Sequence, residues 1–132
     1  MKTYQGSCHC ADVRFEADID LLAGTIKCNC TVCTKMRFWA AQVAPGAFRL
    51  HAGAGVLREY RFNTHRDAHY FCGQCGINVF STGDSPARGP FYAVVLACLD
   101  DASPAELAAA PVRYLDGRND NWTTPPLEVR HL

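Results

Sequence analysis

Cys72-Gly73-Gln74-Cys75, read together with Cys8-His9-Cys10 near the amino terminus, decides the fold of this chain. A Cys-x-x-Cys-Gly knuckle supplies two sulfurs to a tetrahedral metal site, and a structural zinc ion takes four protein ligands. Cys8 and Cys10 supply the other two. Residues at i and i+2 of a strand project from one face, so their sulfurs can close one edge of the tetrahedron. The pairing staples the first strand to a distant turn and makes the metal part of folding. Structural zinc contributes on the order of 10 kcal/mol or more in small peptides. Gly73 and Gly76 follow the two knuckle cysteines, where glycine admits a left-handed backbone and lets backbone N–H groups point at sulfur.

Seven of the eight cysteines fall into three groups, and the third is Cys28-Asn29-Cys30-Thr31-Val32-Cys33. With the other four paired, this group offers three thiolates, and its fourth place goes to water, to a substrate atom or to a side chain from elsewhere. Catalytic zinc sites keep such a place open. Cys98, inside the apolar run Val94 to Leu99, reads as a buried free thiol. His9, His51, His65, His69 and His131 have no spacing that marks a ligand pair, and His69 alternates away from the face of Cys72.

Three anionic sulfurs leave a metal a poor Lewis acid, so water activation suits it badly. Binding an incoming thiol as thiolate beside a small electrophile suits it better, since a coordinating thiol is deprotonated outright. Lys27, Lys35 and Arg37 flank the group and are candidates to offset its negative charge or to hold the carboxylates of an anionic thiol such as glutathione. Trp39, with Tyr4 and Trp122, is a candidate pocket wall, with core packing as the competing role.

A chain of 132 residues makes one domain, 1–132, that buries roughly two-thirds of its extended surface. A formal net charge of zero carries no basic excess for nucleic acid. No stretch approaches the roughly 18 apolar residues of a membrane span, and Met1 to Gly6 has no apolar run of a signal peptide. The expected setting is the reducing cytoplasm, where dense cysteine spacing signals metal before disulfide.

The expected fold is mainly β. Val13 to Ile19, Phe48 to His51, Val56 to Phe62 and His69 to Cys72 alternate as half-buried strands. Phe38 to Val43 stops at Pro45-Gly46, Ile77 to Phe80 stops at Gly83-Asp84-Ser85-Pro86, and Phe91 to Leu99 reads as a continuous central strand. One short helix is expected near the C-terminus. Ser103-Pro104-Ala105-Glu106 combines an N-cap serine, a first-turn proline and a capping-box glutamate before a run of alanines that ends at Pro111.

The ordered motifs Gly6-Ser7-Cys8-His9-Cys10, Val13-Arg14-Phe15-Glu16, Cys28-Asn29-Cys30-Thr31-Val32-Cys33 and Phe71-Cys72-Gly73-Gln74-Cys75-Gly76 resemble the glutathione-dependent formaldehyde-activating enzyme family, whose domain is shared with centromere protein V. The resemblance implies small coiled β-sheets built around zinc. It implies Cys8, Cys10, Cys72 and Cys75 on a structural zinc and Cys28, Cys30 and Cys33 on a catalytic one, two zinc ions per chain. It also implies a carbon-sulfur lyase that reversibly joins formaldehyde and glutathione into S-hydroxymethylglutathione. Here Thr34-Lys35-Met36-Arg37-Phe38-Trp39 departs from the family pattern after the third cysteine, and the bulk of Phe38 and Trp39 reshapes the expected pocket. A non-catalytic zinc-stabilised binding module is the alternative. A thiol redox protein is a further one, disfavoured by the apolar setting of Cys98.

Overall fold

Alternating side chains govern the strands of the computed structural model, which describes residues 1–132. In chain order the elements are β1 (Lys2–Ser7), β2 (Arg14–Ile19), β3 (Thr25–Cys28), α1 (Thr31–Met36), β4 (Trp39–Val43), β5 (Phe48–Ala52), β6 (Leu57–Tyr60), β7 (Ala68–Cys72), β8 (Asn78–Ser85), β9 (Gly89–Val95), α2 (Pro104–Ala109) and β10 (Val112–Leu115). The protein is mainly β, in two sheets. β1, β2 and β5 form an antiparallel three-stranded sheet. The other sheet has seven strands in the order β10-β3-β4-β9-β8-β7-β6, antiparallel except where β10 runs parallel to β3.

The two sheets face each other across the main core. Phe15, Ala17 and Ile19 of β2 meet Ala41 and Val43 of β4 and Val94 of β9 there. Phe48 stacks between Phe15 and Tyr92, with ring centroids 5.2 and 4.7 Å away. Burying a phenylalanine such as Phe15, which has no exposed surface, contributes about 1.5–3 kcal/mol. Strand alternation sends Ala40 and Ala93 to the opposite face of the seven-stranded sheet. There they join Ile26, Cys28, Cys33, Phe38 and Leu115 in a second apolar group, with Val32 and Met36 of α1 packed against it.

Several expectations are corrected by packing. The segment carrying Cys8 and Cys10 is no strand: β1 ends at Ser7, and the chain turns so that the Ala11 N–H donates to the Cys8 carbonyl. β8 runs on through Gly83 to Ser85, because β9 pairs with it to the end. β9 stops at Val95, and Leu96–Cys98 coils into a 3-10 turn. Two helices form instead of one, since Thr31–Met36 is also helical. α2 carries the full reciprocal capping box of Ser103 and Glu106. Gly76 has a positive φ of 80°, as a knuckle needs. Gly73 does not; a Cβ there would come within 2.7 Å of the Val56 carbonyl oxygen, so close approach demands the glycine.

Candidate metal centres

Cys8 and Cys10 lie in the connection between β1 and β2, and Cys72 and Cys75 lie at the turn between β7 and β8. The four Sγ atoms are within 4.8 Å of one another. Cys8 is 3.6 Å from Cys10, and Cys10 is 3.7 Å from Cys72. Sulfurs bound tetrahedrally at zinc–sulfur distances of about 2.3 Å sit about 3.8 Å apart, so the donor set fits such an ion. Backbone N–H groups already face these sulfurs. Val13 donates to Cys8 Sγ at 3.3 Å, and Gln74 and Cys75 donate to Cys72 Sγ at 3.3 and 3.4 Å. The backbone N–H of Ile77, then that of Cys10, pulls the Cys75 thiol down to about 6. Because one pair of these cysteines hangs from each sheet, an ion held among them would bolt the two sheets together.

The second centre is built at the junction of β3 and α1. Cys28 ends β3, Cys30 is the N-cap of α1, and Cys33 sits in its first turn, with all three sulfurs within 4.8 Å. Cys28 Sγ accepts the Cys30 N–H and Cys30 Sγ accepts the Cys33 N–H, each at 3.4 Å. Hydrogen bonding to Cys28 and then Cys33 pushes Cys30 down; contact with Cys30 pushes Cys28 up, and contact with Cys28 and then Cys30 pushes Cys33 up. Three sulfurs this close repel one another once ionised, and a divalent cation among them removes that repulsion, which is the chemistry of a metal-thiolate donor set.

Asn29, between the first two of these cysteines, is buried and bonded to the loop after β10. Its Nδ2 donates to Asp116 Oδ1 at 2.8 Å, and its Oδ1 accepts the Arg118 N–H at 3.0 Å. Its carbonyl accepts from Thr34 Oγ1 at 3.0 Å and from Arg118 Nε at 3.1 Å. Side-chain bonds from Asn119 and then Asn29 hold the Asp116 carboxyl below its usual range. This clamp presses the loop after β10 onto the sulfurs, and a Cβ on Gly117 would fall 2.7 Å from Cys28 Sγ. A polar cleft of about 490 Å³ adjoins the loop, lined by Asn29, Arg118, Asn119 and His131 among others.

Of the cationic and aromatic candidates, Lys35 and Arg37 are exposed on the helix that carries Cys33, with no hydrogen bond from either side chain to the protein. Trp39 is not brought to this site. Alternation with Ala40 places it on the other face of the sheet, and its indole N–H is engaged by Thr25 Oγ1 at 2.9 Å. Lys27 Nζ lies 5.5 Å from that indole ring. Tyr4 is core and Trp122 is half exposed. Cys98 is buried, as expected, and its Sγ donates to the Asn78 carbonyl at 3.4 Å. No histidine joins either group of sulfurs. Sequence reasoning gave Asn29, Gly117 and Asp116 no role. The only signal for Asn29 was its place between two cysteines.

Residues 3–115 match the model of a family described as glutathione-dependent formaldehyde-activating enzyme. The chain belongs to that family. A solved Rhodobacter sphaeroides protein is 29% identical and superimposes with a TM-score of 0.70, over 83% of this chain and 99% of that one. All seven clustered cysteines fall inside the segment matched by the glutathione-dependent formaldehyde-activating enzyme family. The Asp116–Asn119 clamp and the far wall of the cleft lie beyond it. No helix is long and apolar enough to cross a membrane.

Proposed function

We propose that this chain is a zinc-dependent carbon-sulfur lyase of the cytoplasm that makes and breaks the adduct of a small thiol with an aldehyde, S-hydroxymethylglutathione being the substrate the family suggests. The observation that carries the reading is the inequality of the two centres. Four sulfurs converge in one and three in the other. Cys8, Cys10, Cys72 and Cys75 hold a structural zinc in this reading, and Cys28, Cys30 and Cys33 hold a catalytic one, two per chain. A divalent ion with three thiolate ligands and one open place supplies the means to keep an incoming thiol deprotonated.

The protein's own residues supply the rest. Asn29 and the Asp116 loop fix the spacing of Cys28 and Cys30, so the open place keeps one direction. Lys35 and Arg37, free of protein partners, are available for the carboxylates of a substrate such as glutathione. Trp39 braces β4 from behind the site through Thr25. The test is zinc content per chain followed by glutathione titration of the cobalt-substituted protein. Two metals and a thiol-induced change in the cobalt absorption are expected. One metal, or a spectrum indifferent to millimolar glutathione, would return the chain to a zinc-stabilised binding module.

A further inference from the structure

Three stretches of chain line the polar cleft of about 490 Å³, and each is tied to the segment that carries Cys28 and Cys30. Asn29 lies between those cysteines. The loop after β10, from Asp116 to Asn121, is bonded to the Asn29 side chain and carbonyl. The last stretch is drawn from Thr124 to His131, and the next residue, Leu132, accepts at its main-chain oxygen from Lys27 Nζ at 3.2 Å, one position ahead of Cys28. A cleft of this size takes a ligand of several linked groups rather than a single ion.

Charge in the cleft is unevenly satisfied. The Asp116 carboxylate accepts from Asn29 Nδ2 at 2.8 Å and from Asn119 Nδ2 at 3.0 Å, and the Glu128 carboxylate accepts from Arg130 Nε at 2.9 Å. Both acids therefore have donors of their own. Arg118 has no carboxylate partner: its backbone N–H goes to Asn29 Oδ1, its Nε goes to the Asn29 carbonyl, and neither Nη has an acceptor in the protein. With Nε occupied, the guanidinium keeps its end-on pair of Nη donors, which matches the two oxygens of a carboxylate. His131 is the other group lining the cleft that is able to carry positive charge.

The same anchor sets the distance to the sulfurs. Arg118 Nε is 3.1 Å from the Asn29 carbonyl oxygen, and covalent geometry then puts it no more than about 7 Å from Cys30 Cα. Gly117, the residue before it, is so near Cys28 that a Cβ would fall 2.7 Å from Sγ. Of the three cysteines Cys30 is the least buried. A tripeptide, about 10 Å long when extended, has the length to place a carboxylate at Arg118 and a thiol beside Cys30. Lys35 and Arg37 are exposed cations without such an anchor, and holding either on a ligand costs rotamer freedom that Arg118 has already lost in part.

We propose that Arg118 is the carboxylate anchor of the three-sulfur site, its two Nη groups holding a carboxylate of the thiol substrate in the polar cleft while the thiol extends to the sulfurs. The inference rests on the lyase reading above and names the part of the substrate that is recognised. Thiols without a carboxylate lack this hold, so discrimination among thiols falls to a loop beyond the segment 3–115 that the family model matches.

Titrating the cobalt-substituted protein with glutathione and with its diethyl ester, which keeps the thiol and masks both carboxylates, separates the anchor from the lyase. The ester should need roughly tenfold more ligand for half of the absorption change. Arg118→Gln should remove that difference by weakening glutathione alone, with metal content and ester affinity retained, whereas Lys35→Gln combined with Arg37→Gln should leave it in place. A difference that survives Arg118→Gln, one that is absent from wild type, or equal weakening of both ligands would overturn the anchor and leave the lyase intact. A cobalt form indifferent to both thiols would overturn anchor and lyase together. If Arg118→Gln loses its second metal, nitrogen-15 NMR of the wild-type arginine side chains decides. The Arg118 Nη signals should move with glutathione and stay put with the ester; signals that ignore glutathione would overturn the anchor.

Discussion

Gly117 sets the tolerance of the three-sulfur centre. Its missing side chain is the space in which Cys28 Sγ sits, 2.7 Å from where a Cβ would be, and Trp122 closes the other side at 2.9 Å. In the proposed two-zinc protein, Gly117→Ala should therefore push Cys28 out of line and cost the second metal while the first is kept. Zinc analysis should then fall from two ions per chain to one with the melting transition still cooperative. Asn29→Ala tests the clamp. It leaves the buried Asp116 carboxylate and the Arg118 N–H short of a partner, a loss of about 1–3 kcal/mol readable by denaturant unfolding. Neither residue announces itself in the sequence, because their partners are brought in from segments far along the chain. The cysteines do announce themselves, since metal chemistry constrains residue type and spacing together.

Legibility of the elements followed local chemistry. α2 was readable because its start signals sit within four consecutive residues; Ser103→Ala should cost about 1 kcal/mol by removing the cap seen here. α1 was not. It is one and a half turns long, begins with β-branched Thr31 and Val32, and uses a cysteine sulfur as its cap. The Cys8-Cys10 segment was misread as strand for a related reason: two sulfurs of a Cys-x-Cys can meet at one ion from a turn as well as from an extended chain. On the outer face of the small sheet, Arg49 binds Glu16 at 2.6 Å and Asp18 at 2.9 Å. Hydrogen bonds from Arg49 and then Thr3 hold Asp18 down at about 2. A depressed carboxylate contributes stability that is present above its ordinary value of 3.8 and is lost as pH falls through about 2. Acid unfolding of Arg49→Met should consequently lack this low-pH phase when compared with wild type.

Taken as one molecule, the protein places its two centres under different mechanical demands. The four-sulfur centre joins elements of both sheets, while the three-sulfur centre draws on β3 and α1 alone. If the proposed division of labour holds, Cys72→Ser should unfold the chain or lower its melting temperature sharply, whereas Cys30→Ser should leave circular dichroism near that of wild type and remove the proposed turnover. Equal collapse of both variants would contradict this division. Graded chelation should likewise strip the three-thiolate metal first, with loss of activity preceding loss of structure. What reached this level from residue order was the number of sulfurs in each group, the mainly β character and the capped second helix, all of which depend on neighbours within a few positions. The bridging of two sheets by one centre, the loop that closes over the other and the removal of Trp39 to the opposite face depend on register between strands remote in the chain. Such register is set when the whole apolar surface is buried at once, and no short stretch of sequence contains it.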